Sequence, residues 1–184
     1  MKRLPASLNL ATKIALALVS AGFYGLLTFL SERSAAVDTF LSKANSGMHL
    51  VAVVFGAFVL VPYVTASRRW PLRAAALCIA SAAIYYAAVR FVVDGPFHYD
   101  TMASFAVSGA GAALLTGLAV VLLAPRPFRM KLIPMLLVAG AAGGAVFDHK
   151  LSIDESMLLG HLAWQVLVCL ALHYGLRSTS APAA

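Results

Sequence analysis

Apolar residues dominate six stretches of the chain, near 10–30, 47–66, 72–93, 102–124, 131–147 and 157–176, with short polar breaks between them. A helix needs about 20 residues to cross the hydrocarbon layer of a bilayer, and all but the fifth stretch come close to that. The fifth, 131–147, is expected to stand nearly upright or to draw the bilayer in. None of the runs alternates as a barrel strand does, and in lipid an α-helix satisfies every backbone polar group within its own segment. The pattern predicts an all-α polytopic membrane protein. It would be a six-transmembrane-helix bundle forming one domain over 1–177, with a disordered tail at 178–184.

The breaks carry helix-stopping residues: Pro71 after Arg68-Arg69-Trp70, Asp94-Gly95-Pro96, and Pro125 and Pro127 around Arg126. Pro62 lies inside the second run and predicts a kink there, whereas Pro134 falls in the first turn of the fifth, where its missing N–H costs nothing. Gly109, Ala113 and Gly117 recur every four residues, as do Gly140 and Gly144. Such rows of small residues let helix backbones approach closely in lipid. The first run continues through Leu30, too long for the apolar part of a signal peptide, and is read as a membrane helix.

Composition agrees with a lipid environment: 61% of the 184 residues are hydrophobic and 11% charged, against about 25% charged in a typical soluble domain. The net charge of +7 sits in short clusters between apolar runs. That suits an anionic leaflet and argues against a nucleic-acid partner. Lys2, Arg3, Lys13, Arg68, Arg69 and Arg73, with four further basic residues from Arg126 to Arg177, fall on one side of the bundle; Arg33, Lys43, Arg90 and Lys150 fall on the other. This positive-inside bias places both termini in the cytoplasm of an inner or plasma-type membrane. All the acidic residues then fall on the outer side. Cys78 and Cys169 lie within apolar runs and are expected as buried thiols, with no disulfide.

Candidate chemistry gathers near the outer face. His49 opens the second run, His98 and His149 lie in outer loops, and His161 lies about one turn inside the last run; Asp100, Asp148 and Asp154 are near them in sequence. His173 is at the opposite, cytoplasmic end. His161 and Gln165 are one turn apart and are expected to face the bundle interior, since polar side chains in a membrane helix avoid lipid. Trp164 falls on the same face at the next turn; if the polar pair only makes a helix-helix hydrogen bond, Trp164 would serve the interfacial aromatic belt. Arg90 with Asp94 is expected as a surface i,i+4 pair.

Three readings stay open. A haem b held between imidazoles of His49 and His161 needs two histidines on facing helices at similar depth. A metal-dependent hydrolase would hold zinc or a similar ion with His49, His161, His149 and Asp100 and keep one position for water. A transporter or accessory subunit without cofactor would use the cluster as a polar vestibule.

Asn45-Ser46-Gly47-Met48-His49-Leu50, followed by a helix ending at Arg68-Arg69-Trp70, resembles the second helix of bacterial cytochrome b membrane subunits. Gly160-His161 with His173-Tyr174 is similar to that family's last haem-bearing helix. The likeness covers about a quarter of the chain. It implies a haem b protein passing electrons between a redox partner and quinone. Thr12 and Lys13 stand where the family has a histidine in its first helix, and His161 and His173 are twelve residues apart, off one helical face, so the resemblance implies at most one, outer haem. The last helix is also loosely similar to the membrane ceramidase and progestin-receptor-like hydrolases, which end with histidines four apart; here Gln165 takes the second position.

Overall fold

The computed structural model describes residues 8–42, 46–65, 68–96, 102–124, 129–147 and 153–176, and these are almost wholly helical. Helix α1 (Leu10–Arg33) opens on Asn9, whose Oδ1 accepts the Thr12 N–H at 2.8 Å, a side-chain cap for an orphan donor of the first turn. Ser34 is extended and ends α1, and a short α2 (Ala35–Ser42) follows at once. The apolar runs do not predict α2, which is only eight residues long and carries Asp38 and Thr39 among its apolar positions.

Helix α3 (Ser46–Phe55) changes its winding before it ends, passing into a π-helical turn (Gly56–Leu60) and then a 3-10 turn (Val61–Tyr63). Pro62 is the cause the sequence offers. It has no N–H, and its ring crowds the turn before it, so the kink expected at Pro62 is accommodated by first widening and then tightening the helix. Helices α4 (Trp70–Asp94), α5 (Met102–Leu123), α6 (Leu132–Gly144) and α7 (Ile153–Leu176) follow among the described residues.

Among the described residues, four helical segments are long and apolar enough to cross a membrane: α1, α4, α5 and the Ser156–Leu176 part of α7. His49–Tyr63 and α6 are apolar but shorter. The 13 residues of α6 rise about 20 Å, against a hydrocarbon core about 30 Å thick. This helix is shorter than the 131–147 run because it closes at Ala145, whose N–H donates to Ala141 O.

The helices pack in a closed ring: α1 on α3, α3 on α4, α4 on α5, α5 on α6, α6 on α7, and α7 back on α1. Residue pairings give their directions. Lys13 meets His173 and Tyr24 meets His161, so α1 and α7 are antiparallel. His49 meets Tyr86 and Gly56 meets Cys78, so α3 and α4 are too. Between α5 and α6 the approach is backbone to backbone: a Cβ on Gly109 would collide with Gly140 O, and one on Gly140 with Gly109 O. The small-residue rows seen in the sequence thus do what rows of this kind do in lipid. One half of the bundle is filled by large buried side chains such as Leu60, Tyr63, Leu77, Leu136 and Leu172. The other half, where α1 ends and α7 begins, holds the candidate site.

Candidate functional site

A mainly apolar cavity of about 240 Å³ lies among the helices at that end. Regular spacing delivers its walls. Helix α4 contributes Ser81, Tyr85 and Ala88, and α5 contributes Ser108, Ala112 and Thr116, each row one turn apart on one face. Helix α7 contributes Met157, His161, Trp164 and Gln165. His161 and Gln165 are 4% and 2% exposed, so both face the interior as expected. Trp164 is half-buried and makes its contacts within the bundle. Its Nε1 donates to Gly109 O at 3.0 Å, and its ring packs at 5.3 Å on Phe55; a Cβ on Gly143 would collide with the Trp164 backbone, so that glycine lets α6 approach α7 there.

The hydrogen bonds of His161 fix its tautomer. Its Nδ1 lies 2.6 Å from Met157 O, one turn back on the same helix. A carbonyl can only accept, so Nδ1 carries the hydrogen. In the neutral ring Nε2 is then an acceptor, and Tyr85 Oη donates to it at 2.5 Å. Tyr24 stacks on the imidazole at 4.9 Å and 7°, and Phe147 meets it edge-on at 5.7 Å. The imidazole is thus held on its edges by hydrogen bonds and on its faces by rings. Gln165 Oε1 is also buried, one turn further along α7, and has no hydrogen-bond partner.

The residues proposed from sequence separate. His161 lines the cavity, but His49 is not among its lining residues and stacks on Tyr86 at 5.8 Å. Tyr85 and Tyr86 point about 100° apart around α4, so the two histidines meet different faces of one helix. Asp100 and His149, like His98 and Asp148, lie outside the described residues. Among the described residues no group of three or more His, Cys, Asp or Glu side chains could hold a metal ion. Cys78 and Cys169 are free thiols, and Arg90 and Asp94 form the expected exposed pair at 2.6 Å.

An axial haem ligand presents an imidazole nitrogen to iron. Both nitrogens of His161 are engaged within the protein, and His49 does not face it. The arrangement of these two residues does not fit a haem between them.

Tyr24, Tyr85, Ser81 and Ser108 are site residues that the sequence reading passed over. The available signal was a hydroxyl inside an apolar run, since a buried Tyr or Ser needs a partner. Ser81 finds Ala52 O at 2.6 Å and Ser108 finds Ala88 O at 2.8 Å.

No family model, curated protein or solved structure matches this chain.

Proposed function

We propose that this chain is a six-span membrane protein with both termini in the cytoplasm, and that it binds a small, mainly apolar molecule inside its helical ring, as a carrier or accessory subunit does. The observation that carries this reading is the cavity at the Tyr85–His161 pair. A concave, largely apolar space with a few convergent polar groups is the usual form of a small-molecule site, and such sites occur between the helices of bundles. The asymmetry of basic residues read from the sequence puts the cavity in the outer half of the membrane.

Readings built on haem b or on a metal-dependent hydrolase ask more of the same residues. Haem ligation requires Tyr85 to leave Nε2 of His161 and His49 to turn from Tyr86. The hydrolase requires Asp100 and His149 to reach His161. The cavity reading asks for no rearrangement.

The experiment is native mass spectrometry of the protein released from lipid nanodiscs, with Ala112→Phe as the comparison. Ala112 lines the cavity, so a phenyl group there would fill part of it. A small molecule that leaves with the wild-type chain and is missing from Ala112→Phe supports the proposal. A molecule carried equally by both, or by neither, counts against it.

A further inference from the structure

Resting on the reading of the cavity as a small-molecule site, we infer that its ligand is a single-chain molecule with a primary carboxamide head, held on the Gln165 amide with its tail toward the outer end. The cavity has a polar floor. Gly144 with Phe105 and Gly117 with Leu136 run α6 against α5, and Gly143 with Trp164 and Gly175 with Leu132 run it against α7, so α5 and α7 are parallel. The α3 segment ends at Tyr63 beside Lys13, at the His173 end, so α4 runs away from that end. The wall residue nearest that end is Ser81 on α4, Thr116 on α5 and Gln165 on α7, and all three are polar. At the other end the same helices present Val92, Phe105 and Met157. From Ser81 to Val92, and from Phe105 to Thr116, the wall rises about 16 Å. A volume of about 240 Å³ spread over that length is a slender space along the helix axes.

Gln165 supplies the partner for the head. Its side chain is 2% exposed and its Oε1 has no hydrogen-bond partner. Its Nε2 makes no hydrogen bond to a described residue either. A buried polar group without a partner is costly, and here a donor and an acceptor of one amide both lack theirs. The complement of an amide edge is a second amide edge: the ligand N–H donates to Oε1, and Nε2 donates to the ligand carbonyl. The last torsion of a glutamine is soft, so the edge can turn to the ligand, and turning it over exchanges the two atoms without losing the match. Ser81 and Gln165 are each one turn inward of the Tyr85–His161 pair. Ser81 gives its hydrogen to Ala52 O and keeps lone pairs, which suit the second N–H of a primary amide.

Other heads match less of this floor. Among the described residues that line the cavity none is Asp, Glu, Lys or Arg, and burying an ionised head among them is costly. A carboxylic acid has the same paired edge only while protonated, and each pH unit above its pKa costs a factor of about ten. A ketone or ester has no hydrogen for Oε1. An alcohol has one oxygen and cannot meet both atoms of the amide edge along parallel hydrogen bonds. The apolar outer wall then takes the alkyl tail.

The probes are hexanamide, heptan-2-one, in which a methyl group replaces the amide nitrogen, and hexan-1-ol. Each is titrated calorimetrically into the full chain in lipid nanodiscs, with empty nanodiscs as the blank. Hexanamide should bind about tenfold or more tightly than either of the others, the loss expected when a buried hydrogen bond is not made. Gln165→Leu should bring hexanamide down to the level of heptan-2-one and leave heptan-2-one unchanged. Equal binding of hexanamide and heptan-2-one would overturn the need for an N–H while the cavity reading stands. Hexan-1-ol binding as tightly as hexanamide would overturn the paired edge. Hexanamide keeping its advantage in Gln165→Leu would overturn the placement of the head. Saturable binding of none of the three would remove the cavity reading together with this inference. The wild-type series decides the head chemistry even if the variant fails to fold.

Discussion

The Lys13 ammonium lies 3.5 Å from Nδ1 of His173, at the end of the bundle opposite the cavity. The pair joins the first turn of α1 to the last turns of α7, and Lys13 is 5% exposed. Its Nζ also sits 4.3 Å from the centre of the Tyr63 ring, which brings in the 3-10 turn that ends the α3 segment. One cation therefore ties three parts of the chain together, and its charge is met by an imidazole lone pair and a ring face.

Lys13→Ala should accordingly destabilise the bundle. A hydrogen bond to a charged group is worth about 1.5–3 kcal/mol, and a desolvated cation–π contact about 2 kcal/mol. The expected effect is a drop of about 5 °C or more in the melting temperature of the detergent-solubilised protein. Lys13→Met, which keeps the aliphatic stem, should recover part of it. An unchanged melting temperature for Lys13→Ala would show that the contact carries no net energy.

Two glycines should respond in opposite ways. A Cβ on Gly140 collides with Gly109 O and crowds Ala113, whereas one on Gly111 meets nothing within 4 Å. Gly140→Ala forces α5 and α6 apart and should cost about 1–3 kcal/mol. Gly111→Ala should be neutral or stabilising by up to about 1 kcal/mol, because alanine is the better helix former. Thermal unfolding of the two variants side by side tests the backbone approach, and equal melting temperatures would contradict it.

Tyr85→Phe removes the donor to a buried imidazole nitrogen and leaves Nε2 of His161 without its partner. The penalty for such an orphan is about 1–3 kcal/mol. Melting temperature should fall by several degrees, and the aromatic stacking on Tyr24 should survive. Tyr86→Phe is the control: the ring opposite His49 keeps its stacking face, and the melting temperature should stay within about 1 °C of wild type.

An absorption spectrum separates the cavity reading from the haem reading. The purified chain should be colourless when oxidised and after dithionite, and should carry no stoichiometric zinc. A Soret band with sharp reduced α and β bands would instead assign His161 to iron and require Tyr85 to move away. Stoichiometric zinc in a colourless preparation would favour the hydrolase.

The helices were legible in the sequence and their company was not. The runs at 72–93 and 102–124 locate α4 and α5 to within a few residues, because a long apolar stretch in lipid has one backbone solution. Pro62 announced the change in winding, and the rows at Gly109 and Gly140 announced the close approach. His161 and Gln165 were found because polar residues one turn apart must share a face. Tyr85 was missed, although it stands in plain view in Ile84-Tyr85-Tyr86. Nothing in the spacing says which of the two tyrosines faces inward; that depends on how α4 is rotated against α7. The structure brings His49 and His161 to different tyrosines for the same reason. Equal depth in two helices does not make two side chains meet, and here Tyr85 stands at Nε2 of His161 while His49 lies on Tyr86.

The hydrogen-bond chain through His161 has a direction and an end. It runs from Tyr85 Oη to Nε2, and from Nδ1 to Met157 O. A proton entering at Nε2 would release one at Nδ1, but the neighbour there is a peptide carbonyl already bound in a helix, far too weak a base to pass it on. The imidazole is thus a terminus rather than a relay. A pump or proton-coupled carrier needs a conductor that is open on both sides, and this arrangement supplies a blind alley. Were the proposed molecule bound in the cavity, shape and hydrogen bonds would hold it, and His161 in this arrangement would pass no proton beyond Met157 O.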